Sequence, residues 1–290
     1  MANVRQQLLQ TLVDTSSQVV ATPASVQQQA TAVAQIVQVP SQLTTTVQQQ
    51  ATQFVSALLN SSLTTGITST LPATVTNVLS NVLSSPSNGA PPLDQTTSLQ
   101  LVQSVNLVVQ NQLQNMVCGQ HPMNTSSSHI AISTFKASPS QLSNQVLSGP
   151  PNSQLGSFQL PGQLNASSAC MGVQYSGFSV DPFSFAAQAA NVSSSVVSLT
   201  LRNQDGTLMV GGLSDNVTIT LPLTTPLNSN QVPILSYYNY SGQLWSSSGC
   251  SVTTVLSNSN TIIGTCSHLT DFAIVAGPVS KPSPASMVCI

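Results

Sequence analysis

The sequence has very little charge. Only 3% of its 290 residues are charged, with four lysines and arginines and six acidic residues, none of them a glutamate; roughly 25% is usual in soluble domains. Four cations are too few to track the phosphates of a nucleic acid, so we expect no nucleic-acid partner. Six scattered aspartates do not favour a carboxylate-rich metal cage or the paired carboxylates of a glycosidase.

Long hydrophobic runs are also lacking. The first residues contain no apolar segment of the ~7–15 residues found in a signal peptide. The longest apolar stretch near the other end, Phe272–Val279, is far shorter than the ~20 residues that cross a bilayer. Neither a signal peptide nor a membrane span is predicted within this sequence.

Apolar residues are nonetheless plentiful enough for a folded core. Hydrophobic residues make up 40% of the chain and the mean hydropathy is +0.19, which argues against disorder. Because charges are few, the protein surface must be hydrated through the neutral polar side chains of serine, threonine, glutamine and asparagine. Six Asn-x-Ser/Thr sequons begin at Asn60, Asn124, Asn165, Asn191, Asn216 and Asn239. Together they are compatible with a glycoprotein of the secretory route, although such sequons also arise by chance in this composition.

The first 117 residues or so have helical periodicity. Two stripes of apolar residues recur at spacings of three and four, as on one face of an α-helix. The stripes are Val47, Ala51, Phe54, Val55, Leu58 and Leu59, and then Val102, Val105, Val109, Leu113 and Met116. A nearly uncharged surface favours packed helical hairpins over an isolated coiled coil.

A repeat and several prolines subdivide this segment. The hexapeptide VQQQAT occurs at Val26–Thr31 and again, three heptads later, at Val47–Thr52, so both copies should present the same helix face. Pro23, Pro40 and Pro72 are expected to end helices, because proline lacks the backbone donor.

After Cys118 the periodicity changes to the alternation of strands. Apolar residues alternate with polar ones in three segments. The alternating residues are Ile130, Ile132 and Thr134; Val197, Leu199 and Leu201; and Val217, Ile219 and Leu221. Further strands are predicted at Ile234–Tyr240, Val252–Leu256, Thr261–Cys266 and Asp271–Ala276. A turn is expected at Asp205-Gly206, and short strands at this spacing predict an antiparallel sandwich.

The five cysteines do not form a Cys-x-x-Cys motif, so nothing indicates a zinc ribbon or a thioredoxin-like site. In an oxidising compartment Cys250 and Cys266 could join the strands of one hairpin. Cys118 with Cys170 is a weaker pairing, reached only by elimination. Cys289 is left over, either for a partner outside this sequence or as a free thiol.

The segment Tyr237–Gly277 resembles the GPS motif, the proteolysis site that ends the GAIN domain of adhesion receptors and polycystin-like proteins. The resemblance rests on an ordered series over some 35 positions, not on any one tripeptide. Its members are Tyr237-Tyr238, Trp245, Gly249-Cys250, Thr265-Cys266, His268-Leu269-Thr270 and Phe272-Ala273.

The match departs from the family pattern in its cysteines. The family has a cysteine just before the aromatic pair, where this chain has Leu235-Ser236, and a Cys-x-Cys before the histidine, where this chain has only Cys266. One of two disulfides is therefore missing. The remaining bridge, Cys250–Cys266, would contribute about 3 kcal/mol by the chain-entropy estimate.

The resemblance implies a GAIN-like α+β fold: a helical subdomain at residues 1–117 and an antiparallel β-sandwich at 118–277. The sandwich ends in the GPS motif at 234–277, and residues 278–290 form a juxtamembrane linker. The segment around residues 195–223 looks most like the polycystin branch.

Self-cleavage between Leu269 and Thr270 is the chemistry that the resemblance implies. The Thr270 hydroxyl would attack the Leu269 carbonyl, moving the acyl group from nitrogen to oxygen, and water would hydrolyse the ester. A hydroxyl needs a base to become nucleophilic, and the imidazole of His268 would serve as that base. Strain in the turn would favour the shift. Trp245 and Gly249 would be structural members of the motif.

Cleavage of this kind happens once per chain, so no turnover enzyme is predicted, and neither a cofactor nor a metal. The partner of the cleaved chain would be its own C-terminal strand, held by Phe272 with Ile274 or Val275. In receptors of the family this strand is a tethered agonist; in the polycystin branch cleavage accompanies maturation of a channel-like protein. The expected location is the extracellular side of a cell-surface membrane protein. This chain would be a fragment of it, lacking the downstream transmembrane region and having an unspecified extracellular ligand.

Two other interpretations remain. The module could be a non-cleaving structural adhesion or stalk domain, in which the residues around His268 only fold. A conventional Ser-His hydrolase would turn over added substrates and would tolerate Thr270→Ala, but no Gly-x-Ser-x-Gly elbow, P-loop or dinucleotide fingerprint is present.

Overall fold

The computed structural model describes residues 2–151, 153–164, 168–186, 191–203, 213, 215–256 and 259–278. In these ranges a helical part precedes a part made of strands, which confirms the predicted α+β order. The helices are α1 Ala2–Ser16, α2 Pro23–Ile36, α3 Thr45–Thr65, α4 Leu71–Ser84 and α5 Gln95–Gln114, with a one-turn α6 at Pro139–Leu142. None of the helices described is long and apolar enough to cross a membrane.

Side-chain caps define where the helices begin. Thr22 and Ser25 form a reciprocal capping box at the start of α2, and Asp94 accepts a hydrogen bond of 2.9 Å from the Thr97 amide at the start of α5. The expectation that the prolines end helices was wrong. Pro23 opens α2 and Pro72 lies in the first turn of α4, where a missing backbone donor costs nothing.

Both apolar stripes are buried, which confirms the helical face predicted for each. The repeat behaves as expected, because its valine and alanine positions are buried in α2 and in α3. A polar contact fixes α3 against α5: the Asn111 side-chain amide donates to the Leu59 carbonyl at 3.0 Å, and the Ser62 hydroxyl donates to the Asn111 side chain at 2.8 Å.

Twelve strands occur among the described residues. They are β1 Met123–Ser126, β2 Ile130–Ala137, β3 Val146–Ser148, β4 Ser157–Gln159, β5 Met171–Phe178, β6 Val196–Arg202, β7 Val217–Pro222, β8 Gln231–Asn239, β9 Leu244–Ser246, β10 Cys250–Leu256, β11 Thr261–Cys266 and β12 Asp271–Pro278. All pairings are antiparallel. The inner sheet has the order β1-β2-β5-β6-β12-β8-β9, and the outer sheet has the order β10-β11-β7-β4-β3.

The inner sheet is the middle of three layers. One of its faces packs with the helices in one core cluster, which includes Ala273 and Val275. Its other face packs with the outer sheet in a second cluster, which includes Phe272 and Ile274. The sandwich is therefore as predicted, and β12 is buried on both faces.

Several boundaries and connections differ from the sequence expectations. β8, β10 and β12 extend beyond the predicted limits. Five strands, β1, β3, β4, β5 and β9, were not predicted. β6 and β7 belong to different sheets, so their connection passes from one sheet to the other. The turn expected at Asp205-Gly206, the sequon at Asn165, the linker after Pro278 and Cys289 lie outside the described residues.

Candidate functional site

The tripeptide His268-Leu269-Thr270 lies in the short link between β11 and β12. β11 belongs to the outer sheet and β12 to the inner sheet, so this link carries the chain across the edge of the sandwich. Leu269 is buried and Thr270 is half-buried. The two sheets thus fix the backbone immediately before and after the link.

His268 is half-buried and packs against two aromatic rings. The Tyr237 ring meets the imidazole edge-on with ring centroids 4.3 Å apart, and the Phe272 ring stacks on it at 5.8 Å. The imidazole Nε2 is buried, and among the described residues it has no hydrogen-bond partner. The ring is therefore oriented by packing, with one nitrogen left available for a proton.

Gly249 shapes the space in front of the histidine. Its φ of +75° is a left-handed conformation that favours glycine. A Cβ there would lie 2.7 Å from the Ser267 hydroxyl oxygen and 3.8 Å from the His268 ring. The Ser267 amide also donates to the Gly249 carbonyl at 3.1 Å. A side chain at position 249 would thus displace the Ser267 hydroxyl, next to the His268 ring.

A disulfide closes the hairpin that leads into the link. Cys250 and Cys266 lie directly opposite each other on β10 and β11, with Cα atoms 4.2 Å apart, and are joined. Cys266 is only two residues before His268. A second disulfide joins Cys118, just after α5, to Cys170, just before β5, and so ties the helical part to the inner sheet.

A cavity of about 280 Å³ lies on the other side of the link. Leu269 and Thr270 line it from the sandwich, and Val102, Val105 and Asn106 of α5 line it from the helical part. The nucleophile candidate therefore faces a space large enough for water molecules. His268 is packed among the rings of Tyr237 and Phe272.

A family model of GPS, described as GAIN subdomain B, matches residues 121–280, more than half of the chain. The chain belongs to the GPS family. Its fold is similar to that of the full extracellular region of zebrafish Gpr126/Adgrg6, with a TM-score of 0.63 and 19% sequence identity. That similarity covers 87% of this chain but only 35% of the zebrafish chain. No curated protein matches the sequence.

In this GPS domain β12 has neighbours on both sides from Phe272 to Val275. β8 pairs with it from Phe272 to Pro278, and β6 pairs only with its first two residues. Beyond β6, a run of serines takes over: the Ile274 amide donates to the Ser194 hydroxyl at 2.8 Å, and the Ser193 amide donates to the Ile274 carbonyl at 2.8 Å. Sequence reasoning missed this run because it has no alternating pattern.

Two aromatic residues of the GPS motif, Tyr238 and Trp245, pack against Phe183. The Tyr238 ring stacks on Phe183 at 3.8 Å, and the Trp245 ring meets Phe183 edge-on at 5.7 Å. Asp181 lies beside this cluster, where burial raises its carboxyl pKa to about 7, opposed by a hydrogen bond from the Phe183 amide. Phe183 and Asp181 precede the recognised motif by more than fifty residues, so the motif gave no signal for them.

Asp271 is the further site residue that sequence reasoning missed, having been predicted only as the start of a strand. It is buried, and its carboxylate accepts a hydrogen bond of 2.7 Å from the Tyr240 hydroxyl. Burial raises the pKa of the Asp271 carboxyl, while hydrogen bonds from Tyr240 and Ser198 oppose that rise. A signal did exist: a carboxylate opening an apolar strand stands out in a chain with so few charges.

Proposed function

We propose that this GPS domain is the extracellular, juxtamembrane module of a membrane protein and cleaves itself between Leu269 and Thr270. The observation that carries the proposal is the position of His268-Leu269-Thr270. These residues form the link between the sheets, with the histidine oriented by aromatic rings and its Nε2 unpartnered.

The first step is an acyl shift from nitrogen to oxygen. His268 accepts the hydroxyl proton of Thr270 as the hydroxyl oxygen attacks the Leu269 carbonyl carbon. The tetrahedral intermediate collapses with rupture of the bond to the Thr270 nitrogen, which receives the proton. The product is an ester between the Leu269 acyl group and the Thr270 oxygen, with a free amine on Thr270.

The second step consumes one water molecule. Water attacks the ester carbonyl, leaving a carboxylate on Leu269 and restoring the Thr270 hydroxyl. The cavity of about 280 Å³ beside Thr270 supplies the route by which water reaches the ester. Since the peptide bond is not restored, each chain reacts once.

The cleaved strand stays bound because β12 lies in the middle of the inner sheet. Its backbone pairs with β8, and Phe272 and Ile274 are buried in the sandwich while Val275 faces the helices. Each fully buried side chain of this size contributes roughly 1.5–3 kcal/mol. The strand is then a tethered segment, as in an adhesion receptor or a polycystin-like protein, and force on the rest of the chain would release it.

An extracellular location agrees with the two disulfides and with the surface positions of the sequons. Asn124, Asn191 and Asn216 are exposed, so we propose that glycans on these side chains hydrate a surface that has few charges. Asn60 is exposed too, but its side-chain nitrogen donates to the Ser56 carbonyl within α3. Asn239 is less available, because its side-chain oxygen accepts hydrogen bonds from the Ser241 and Gly242 amides.

Intact-mass measurement of chain made in a secretory host tests the proposal. Under denaturing conditions, cleavage separates the 21-residue fragment Thr270–Ile290. Thr270→Ala and His268→Ala should stay whole, whereas Thr270→Ser, which keeps a hydroxyl, should still cleave. His121→Ala is the matched control, since His121 is exposed and lies outside the site. A wild-type chain that stays whole contradicts the proposal.

A non-cleaving structural adhesion or stalk domain is the second candidate. The observation that favours it is the missing second disulfide of the motif: Leu235-Ser236 stand where the family has a cysteine, and only Cys266 precedes His268. For such a domain, the intact-mass experiment gives one species for wild type and for every variant.

A further inference from the structure

The residue that follows the proposed nucleophile is one of only six acidic residues in the chain. Asp271 is 5% exposed and opens a strand whose other residues up to Gly277 are apolar and buried. Burying a carboxylate is costly unless hydrogen bonds compensate. This position therefore requires specific partners.

Those partners come from both strands that flank β12. Tyr240, in the turn after β8, donates its hydroxyl to the Asp271 carboxylate at 2.7 Å. Ser198 of β6 pairs with Asp271 across the strands, and its side chain hydrogen-bonds to the same carboxylate. Together these contacts fix the position and orientation of the Asp271 carboxyl group. We call Asp271, Tyr240 and Ser198 the carboxylate clamp.

The clamp adjoins the scissile peptide in sequence and in space. Thr270 is bonded directly to Asp271, and Thr270, Asp271, Tyr240 and Ser198 all line the same cavity. The nitrogen that leaves in the acyl shift belongs to Thr270, which is bonded to Asp271. The position of this nitrogen therefore depends on where Asp271 is held. A displacement of about 1 Å at a reacting group can slow a reaction by about a hundredfold.

We propose that Asp271 is a positioning residue for self-cleavage: Tyr240 and Ser198 hold its carboxylate, and this fixes the backbone of Thr270 against the Leu269 carbonyl. The inference rests on the proposed self-cleavage and assigns Asp271 no proton transfer. Its role is to accept hydrogen bonds, so an uncharged acceptor of the same shape should replace it.

A double-mutant cycle tests the clamp in the full chain, with the cleavage rate followed by intact mass. Tyr240→Phe and Asp271→Ala should each slow cleavage by about tenfold to a hundredfold. The double variant should be no slower than Asp271→Ala, because both changes remove the same contact. Asp271→Asn, which keeps an acceptor oxygen, should cleave within about twofold of wild type.

Tyr175→Phe is the matched control. Tyr175 is a buried tyrosine of β5 in the inner sheet, and its hydroxyl donates to the Gly156 carbonyl at 3.1 Å, away from Asp271. The Tyr175→Phe variant loses one tyrosine hydrogen bond and should cleave at the wild-type rate. Thermal melts are recorded for every variant.

Each outcome decides the proposal. Additive losses in the cycle, an Asp271→Asn rate as low as that of Asp271→Ala, or equal slowing by Tyr240→Phe and Tyr175→Phe would overturn the clamp and leave self-cleavage standing. A wild-type chain that never releases Thr270–Ile290 overturns both proposals. Coupled losses with rescue by asparagine support the clamp.

Discussion

At the residue scale, the packing around His268 depends on one glycine and two aromatic rings. Because Gly249 has no side chain, there is room for Ser267 and the imidazole, and the Tyr237 and Phe272 rings pack against the imidazole. Local sequence found these members of the site because most lie within one short motif. Ser198 and Asp181 could not be found in this way, because they lie far from the motif in the sequence. Tyr240 lies within the motif, but its contact with Asp271 follows from the pairing of β8 with β12 and has no sequence signal.

Gly249→Ala should reduce cleavage strongly, because the added Cβ meets Ser267 at 2.7 Å and moves the residue before His268. The left-handed backbone adds a destabilisation of about 1–2 kcal/mol. Gly66→Ala is the control: Gly66 has a φ of +86° and open space around its Cβ position. Both variants should melt earlier, but only Gly249→Ala should cleave slowly; equal cleavage of the two would contradict this role.

Asp181 should make stability depend on pH. Its carboxyl pKa is about 7 in the folded chain, above the ~3.9 of an unfolded one, so the folded state binds the proton more tightly. The free energy of unfolding therefore falls as pH rises from about 4 to about 7. Asp181→Asn should remove this contribution and exceed wild type by up to about 4 kcal/mol above pH 7.

Urea denaturation at several pH values measures the difference between wild type and Asp181→Asn. Asp14→Asn, on the exposed surface of α1, is the control for loss of one carboxylate. If the free energies of unfolding of wild type and Asp181→Asn change in parallel between pH 4 and pH 7, burial does not raise the pKa of Asp181.

At the element scale, sequence periodicity predicted the amphipathic helices and strands, and it missed the strand β5, which is buried on both faces. The helical stripes have one buried face, and β7 alternates between buried and half-buried residues, so both were recognisable. β5 is buried at all eight positions, because it lies inside the middle layer. It therefore has no alternation, and its glycines and polar residues do not resemble a strand.

The central strand should determine how long the cleaved chain stays together. Ile274→Ala removes a side chain that is 1% exposed and should weaken β12 by about 2–5 kcal/mol. The cleaved fragment should then separate at a lower urea concentration, as followed by size-exclusion chromatography. Val255→Ala on β10, where the side chain is 51% exposed, should leave retention unchanged; equal loss in both would mean that burial does not hold the strand.

At the scale of the whole molecule, the two disulfides should have separable effects. Cys118–Cys170 spans 52 residues and Cys250–Cys266 spans 16, so on loop entropy they contribute about 4 and 3 kcal/mol respectively. Replacing Cys118 and Cys170 by serines should lower the melting temperature more than replacing Cys250 and Cys266. Replacing Cys250 and Cys266 should impair cleavage more than replacing the first pair, because Cys266 lies two residues before His268. The opposite ranking in either measurement would contradict the separation.

The three layers explain how a link of few residues can be held rigidly at the proposed cleavage site. The outer sheet fixes β11, the inner sheet fixes β12, and α5 covers the cavity beside Thr270. The order of helices and strands was predictable from the sequence. The passage of the link from one sheet to the other was not, because it depends on which strands pair.

The central claim is that an ester forms between Leu269 and the Thr270 oxygen, and trapping with hydroxylamine at neutral pH tests it most directly. Hydroxylamine attacks an ester carbonyl far faster than an amide, and it leaves a hydroxamate on the acyl residue. If the ester forms, we expect faster release of Thr270–Ile290 and the mass of a hydroxamate on Leu269. Release at an unchanged rate, with only a carboxylate at Leu269, would contradict it.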